Sequence, residues 1–530
     1  MLDVIIRNGK IVDGTGNPWF QADLAIHEDK IIQVGHAIKK QAKKVIDAAG
    51  LIVSPGFIDT HTHSDLRVFK HPDEDYKLMQ GITTVLIGQD GLSVAPLDEA
   101  NKPPMMLRVS GLLGTYLEEW PWNSMAEYLS AIEKIPPATN TMMLVPSGAV
   151  RAMVVGWENR PATLVELERM KGILSRAMEE GACGYSTGLI YPPGIYAGRT
   201  EMVEMCKVAA SYGGFFVVHM RSEGDYLLDS IREVTGICMD AGCPLHISHL
   251  KVAGKKNWGR AGEALALIDE SRGKGLDVTF DQYPYLAGST MLDAVIPPRF
   301  HAGGTAGLLE RLKDPAVREE IRQVQENTKP ERWENWIDTC GWEGIVVTAV
   351  KTDANRFAEG KSVAEIAKIT GKAPIDAVCD LLIAEENAVT MVVFYGSEED
   401  VREIMRSEYM TLCSDGIVGG KPHPRVYGTC ARLLGKYVRE EKVVTLPQAI
   451  RKMTSLPAQR LRLQERGIIR EGMAADITIF NPDTIIDRGT YAEPNQYPIG
   501  IDYVLVNGRV AVDNGKLASL RAGKVIRRKS

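Results

Sequence analysis

No apolar run in this chain reaches the 18 residues that read as a membrane span. The start, Met1-Leu2-Asp3, also lacks the basic and apolar regions of a signal peptide. A cytoplasmic, membrane-free protein is expected. A basic excess is missing as well. The 62 Lys+Arg against 68 Asp+Glu leave a formal charge of −6, which argues against a nucleic-acid partner. The terminal run Arg527-Arg528-Lys529 reads as a solvated tail. There is no CxxC: the eight cysteines are scattered, and Cys238 and Cys243 do not make one. That excludes a disulfide framework and fits a reduced protein.

What is present is the composition of an ordinary enzyme, 45% hydrophobic and 25% charged, in a chain of 530 residues. Both ends read as short strands and turns. Ile6-Arg7-Asn8-Gly9-Lys10-Ile11-Val12 near the start is echoed by Leu505-Val506-Asn507-Gly508-Arg509-Val510-Ala511 near the end. Asn8-Gly9 is a hairpin signal. Neither end has enough apolar residues for a core of its own, so residues 1–55 and 466–530 are expected to join in one β-sandwich.

Between them, strands alternate with helices. Strand candidates are Thr83–Gly88, Thr141–Val145, Phe215–His219, Pro244–His249, Asp277–Asp281, Val389–Phe394 and Met410–Asp415. Helical periodicity runs through Leu164–Glu180, Thr200–Tyr212, Ala261–Arg272, Ser362–Gly371 and Glu398–Met405. The expected fold is α/β: a (β/α)8 TIM barrel over residues 56–465 with a small β-sandwich built from both chain ends. The stretch from about 288 to 344 breaks the rhythm, carries Trp333, Trp336 and Trp342, and reads as a lid.

The chemistry begins at Gly56-Phe57-Ile58-Asp59-Thr60-His61-Thr62-His63. On a strand, His61 and His63 point the same way and can share a metal ion. Barrel sites collect where strands end. The polar groups at strand ends are Asp90, His219, His249 and Asp415, which with the first pair make four imidazoles and two carboxylates. Asp90 before Gly91 can equally be a turn residue, and Asp415 a helix cap. His246 is at an odd offset from His249 and faces the other way; His27, His36, His71 and His301 lie outside strand ends. A divalent ion on such a set activates water, and an adjacent carboxylate moves the proton to a leaving nitrogen. That is hydrolysis of a C–N bond.

Motifs beyond H-x-H extend this: Gly81-Ile82-Thr83-Thr84-Val85, Gly184-Tyr185-Ser186-Thr187-Gly188, Tyr191-Pro192-Pro193-Gly194, His219-Met220-Arg221-Ser222-Glu223-Gly224-Asp225, Asp281-Gln282-Tyr283-Pro284-Tyr285, Ser414-Asp415-Gly416 and His423-Pro424-Arg425. With them the chain resembles the D-aminoacylase (N-acyl-D-amino-acid deacylase) branch of the amidohydrolase superfamily. The resemblance implies zinc, as one or two ions, and hydrolysis of N-acyl-D-amino acids; manganese or ferrous iron would also suit the ligands. It implies that His61, His63 and Asp415 hold one metal position and His219 and His249 a tighter one, with Asp415 as general acid/base. It further implies Lys251, Tyr283, Arg425, Tyr191 and Ser289 as substrate-binding residues. Where family members carry a cysteine, this chain has Gln89-Asp90-Gly91, and no lysine follows Leu144-Val145 to bridge as a carbamate. The bridging position is Asp90 or vacant. Other amidohydrolases acting on amides with a free carboxylate (a dipeptidase, an N-substituted formamide or cyclic amide hydrolase) would share these ligands. A scaffold that had lost its site would show missing ligands, and here only the cysteine differs.

Overall fold

The computed structural model describes residues 1–326, 333–518 and 520–528. Its middle is organised by parallel strands. Phe57–Asp59 pairs with Ile82–Ile87, which pairs with Asn140–Met143. The chain passes through Leu144 into Val145–Pro146, beside Tyr185–Gly188. Phe216–His219, Leu245–Ile247, Val278–Gln282 and Met410–Leu412 follow in turn. The series returns on itself, since the Asp415 N–H donates to His61 O at 2.8 Å and the His63 N–H to Gly416 O at 3.1 Å. All these strands are buried on both faces, as parallel strands covered by helices must be. The helices start where the sequence caps them. Leu164–Glu179 opens on Thr163, whose Oγ1 accepts from Glu166 N at 3.3 Å while Glu166 returns to Thr163 N at 2.8 Å.

Two strand readings change. Val389–Phe394, expected among the parallel strands, is Thr390–Phe394 and pairs antiparallel with Ala287–Met291 and Ile345–Ala349. A β-branched buried run looks the same in either setting, because burial and not pairing sets its composition. Conversely Tyr185-Ser186-Thr187-Gly188 is a parallel strand without an apolar alternation to announce it. Helices Gly304–Arg311, Pro315–Glu326 and Trp336–Cys340 lie in the expected lid stretch, of which 327–332 fall outside the described residues.

The chain ends share one nine-stranded sheet, joined where Ile52–Pro55 pairs antiparallel with Ile477–Phe480. A cluster including Val4, Ile6, Leu24, Ile26, Ile477 and Ile479 packs against it. The repeated Asn-Gly dipeptide behaves differently at its two sites. Asn507-Gly508 turns the hairpin between Ile501–Val506 and Arg509–Asp513, both residues at positive φ. Asn8-Gly9 is no hairpin: it is a bulge inside Leu2–Ile11, with Asn8 at φ 58° and its N–H on Asp23 Oδ1 at 3.0 Å.

One polar knot stitches this sheet to the parallel strands. Asp476 accepts from Asn140 Nδ2 at 3.0 Å, from the Asn507 N–H at 2.7 Å and from Arg466 Nη1. Asp476→Ala would leave the mostly buried Arg466 guanidinium without its carboxylate, a loss of about 3 kcal/mol. A lower denaturant midpoint at unchanged slope is the expected readout; an unchanged midpoint would show the knot to be dispensable. The C-terminal run is not a solvated tail. Ile526 N donates to Thr141 O at 2.8 Å, Arg527 pairs with Glu133 at 3.0 Å, and Arg528 N donates to Gly181 O at 3.1 Å. Lys529 lies outside the described residues. No helix among the described residues is long and apolar enough to cross a membrane.

Candidate metal centre

The strand expected to carry both first histidines ends early, at Asp59. Asp59 then ties the first chain exit to the last, its Oδ1 accepting from the N–H groups of His61 (3.3 Å) and Ser414 (2.8 Å). A bridge between Thr62 and Gly416 holds the next residues, so Nε2 of His61 and of His63 still come within 3.3 Å of each other. Asp90 stands in a single helical turn, Gln89–Gly91. Asp90, His249 and Asp415 all take left-handed backbone, at φ 55°, 35° and 46°. That costs a non-glycine residue of order 1 kcal/mol. Neighbours enforce it: Asp281 Oδ1 accepts from His249 N at 2.5 Å, and Ser186 Oγ from Gly91 N at 3.2 Å.

The donor atoms are spaced for a cation. Asp90 Oδ2 is 3.6 Å from Nε2 of both His61 and His63, and Asp415 Oδ1 is 3.5 and 3.2 Å from them. Four tetrahedral donors about 2.0–2.2 Å from one zinc ion would lie roughly 3.3 Å apart. Asp90, His219 and His249 form a second such group, so Asp90 is common to two. Among the described residues, both ring nitrogens of His219 and Oδ1 of Asp90 are buried without a hydrogen-bond partner, a state that calls for a polar occupant. The residues fit a metal ion.

Charge follows this geometry. Burial opposes a charged His61, but Asp90 and Asp415 outweigh it and lift its pKa to about 9. Burial also works against both carboxylates, yet His61 beside Asp90, and Arg425 with His61 beside Asp415, hold them well below the usual range. His219 is pushed down to about 3 by burial, and so offers a lone pair rather than a proton. Glu223 accepts from Lys251 Nζ at 2.6 Å and faces His249 Nδ1 at 2.9 Å. Lys251 Nζ is also 2.6 Å from that Nδ1, so the Lys251–Glu223 pair holds the ring by Nδ1 and leaves His249 Nε2 to ligate.

Beside the donors lies a narrow cavity of about 20 Å³, faced by Leu112, Tyr191, Tyr283, Trp336, Val393 and Tyr395. Arg425 Nη2 binds Asp415 Oδ2 at 2.9 Å and Ser289 O at 3.1 Å. Its Nε and Nη1, and Ser289 Oγ, are buried donors with no partner among the described residues.

A family model described as the amidohydrolase family matches residues 44–512. A D-aminoacylase of Alcaligenes xylosoxydans xylosoxydans is 34% identical over 99% of this chain and 98% of its own length. An N-acyl-D-glutamate deacylase of the same organism is 35% identical over 99% and 97%. The chain belongs to the amidohydrolase family, in its D-aminoacylase branch. Among solved structures, the N-acyl-D-glutamate deacylase of Bordetella bronchiseptica, complexed with zinc and a phosphonate mimic of the tetrahedral intermediate, superposes with TM-score 0.85 at 32% identity, over 99% of this chain and 100% of that one. A D-aminoacylase described by its binuclear metal centre superposes at 0.84 and 33%, with both chains fully covered.

In this amidohydrolase the six expected ligand candidates, His61, His63, Asp90, His219, His249 and Asp415, converge on one place. Asp90 both shapes its turn and aims a carboxylate inward. His246 does face away, bonded to Thr279 Oγ1 at 2.7 Å and Asp281 Oδ2 at 2.9 Å. Lys251 is no solvated loop residue, and Arg425 has both an internal ion pair and free donors. Tyr283 stacks under Arg425 at 4.4 Å and bonds Tyr395 through the hydroxyls. Tyr191 is tied to Thr290 Oγ1 at 2.7 Å. Sequence reasoning missed Glu223, although an acid four residues beyond a strand-end histidine was there to be read. It also missed Tyr395 and Leu112, which reach the site through the antiparallel sheet and a flanking helix and carry no local signal, whereas Trp336 belongs to the stretch read as a lid.

Proposed function

We propose that this chain is a metal-dependent hydrolase of N-acyl-D-amino acids, releasing a carboxylate and a free D-amino acid. The observation that carries the reading is the buried Arg425 guanidinium beside a set of metal donors, held through Nη2 and with Nε and Nη1 unpaired among the described residues: with Ser289 Oγ these are donors suited to a substrate carboxylate. Lys251 and Tyr283 complete that end. The fold reading is a (β/α)8 barrel of about residues 56–465 with a β-sandwich from 1–55 and 466–530, supported by the closed run of parallel pairings and the shared end sheet. His61, His63 and Asp415 would hold one zinc ion, His219 and His249 the other, with Asp90 bridging. Bound zinc supplies Lewis acidity, activating water and polarising the scissile carbonyl. Arg425 fixes Asp415 Oδ2, so Oδ1 is the atom that takes the proton from the attacking water and returns it to the leaving nitrogen as the C–N bond breaks. Glu223, with Lys251, holds His249 by Nδ1 and leaves Nε2 to ligate.

A cavity of about 20 Å³ holds little more than a water. Substrate entry therefore requires movement of its walls, and Ser289, Thr290 and Trp336 belong to the stretch read as a lid. Lys251 and Arg425 are cations at the site, and the wall includes the apolar or aromatic Leu112, Trp336, Val393 and Tyr395. With the cations committed to the α-carboxylate, an apolar side chain suits the wall and an acidic one does not. Eight free cysteines support a reducing, cytoplasmic setting.

A panel of N-acetyl-D- and L-amino acids tests this. N-acetyl-D-leucine is expected to exceed both N-acetyl-D-glutamate and N-acetyl-L-leucine at least ~10-fold in kcat/KM. Arg425→Gln should raise KM for the D-substrate ~10-fold or more, the worth of a charged hydrogen bond. Equal turnover of both enantiomers, or an unchanged KM, would overturn the assignment.

A further inference from the structure

The face of the molecule opposite the metal centre has a cavity of its own. It measures about 460 Å³, within the span of roughly 300–1,000 Å³ common for small-molecule sites. Its floor is apolar. Met142 lies within the strand Asn140–Met143, Cys183 and Phe215 stand just before the strands Tyr185–Gly188 and Phe216–His219, and Leu461, Leu463 and Ile526 close the sides. Its rim carries Arg462, Arg466, Arg527 and Arg528 beside Gln464 and Glu465, and Glu465 is paired with Lys30. Arg462 and Arg528 converge over Gly213, each with a guanidinium nitrogen within 2.7 Å of where a Cβ at that position would stand, so these nitrogens are no more than about 5 Å apart.

Like charges so close repel. Arg527 and Arg466 on the same rim are committed to Glu133 and Asp476. Among the described residues, neither Arg462 nor Arg528 has a carboxylate partner. Glycine at 213 is what leaves room for the pair, since any side chain there would meet both guanidinium groups.

We propose that this cavity binds a medium-chain aliphatic carboxylate, its head between Arg462 and Arg528 and its chain along Met142, Phe215, Leu463 and Ile526. A planar carboxylate matches the guanidinium fork, and a chain covers the partly buried Leu463 and Ile526, which a small anion would leave facing water. The ligand would bridge the C-terminal segment and the strand floor. This site is independent of the reaction assigned to the other face.

Calorimetric titration of the full chain with decanoate tests it, beside acetate, decan-1-ol and inorganic phosphate. Decanoate is expected to bind saturably and at least tenfold more tightly than the other three. R462Q/R528Q should weaken it at least tenfold while hydrolysis of N-acetyl-D-leucine is unchanged. Equal binding in that variant, or equal binding by decan-1-ol or phosphate, would overturn the proposal. A diazirine-bearing decanoate photolysed on the unaltered protein covers a variant that fails to fold and a ligand that enters the other cavity. Label in 461–466 and 526–528 is expected; label confined to peptides of the metal centre overturns the site.

Discussion

Asp415→Asn is expected to lower kcat by at least ~10²-fold in a protein that remains folded and metal-loaded. Asparagine has the same shape and tolerates left-handed backbone, so the φ of 46° at this position is no obstacle. What it cannot do is accept a proton. Asp415 Oδ1 stands against the two histidine Nε2 atoms at 3.5 and 3.2 Å while Arg425 occupies Oδ2, so Oδ1 is the oxygen of this carboxylate left to serve water and leaving nitrogen. The effect should fall on kcat and much less on KM. Turnover near that of the unaltered protein, with metal confirmed by analysis, would remove Asp415 from the proton path.

Asp90→Ala should change the metal itself. Its carboxylate is shared by the group with His61 and His63 and the group with His219 and His249, so its removal takes a donor from both. The expected result is loss of at least one ion per chain and about 10²-fold or more in activity. A carboxylate is a harder ligand than a thiolate, so manganese or ferrous iron should restore activity to the apo enzyme more readily than a cysteine at this position would allow. Alanine is strained at φ 55°, so Asp90→Gly, free of that strain, separates ligation from turn shape. If neither variant alters metal content or turnover, Asp90 is a turn residue alone.

The convergence of the six candidate donors was legible because parity and strand ends are local. His61 and His63 come together at a two-residue offset even though the strand stops at Asp59, and His246 faces away from His249 as its odd offset requires. Helices with caps and apolar stripes were likewise readable to within a residue or two. What could not be read was pairing. Thr390–Phe394 has the composition of a parallel strand and the partners of an antiparallel one. Asn-Gly at 8–9 has the residues of a turn, but Asp23 captures the Asn8 N–H and the strand runs on. The pocket wall depends on such long-range pairings, which is why Tyr395 and Leu112 went unseen while the candidate donors did not.

The left-handed backbone at Asp90, His249 and Asp415 has a consequence for engineering. A search for thermostable variants that scored only melting temperature would be drawn to these three positions, since glycine there removes the conformational cost at each. Every such gain would delete a donor from the metal centre. Stability and turnover are thus set against each other at these codons, and a library screened for heat resistance alone should enrich for well-folded, inert proteins.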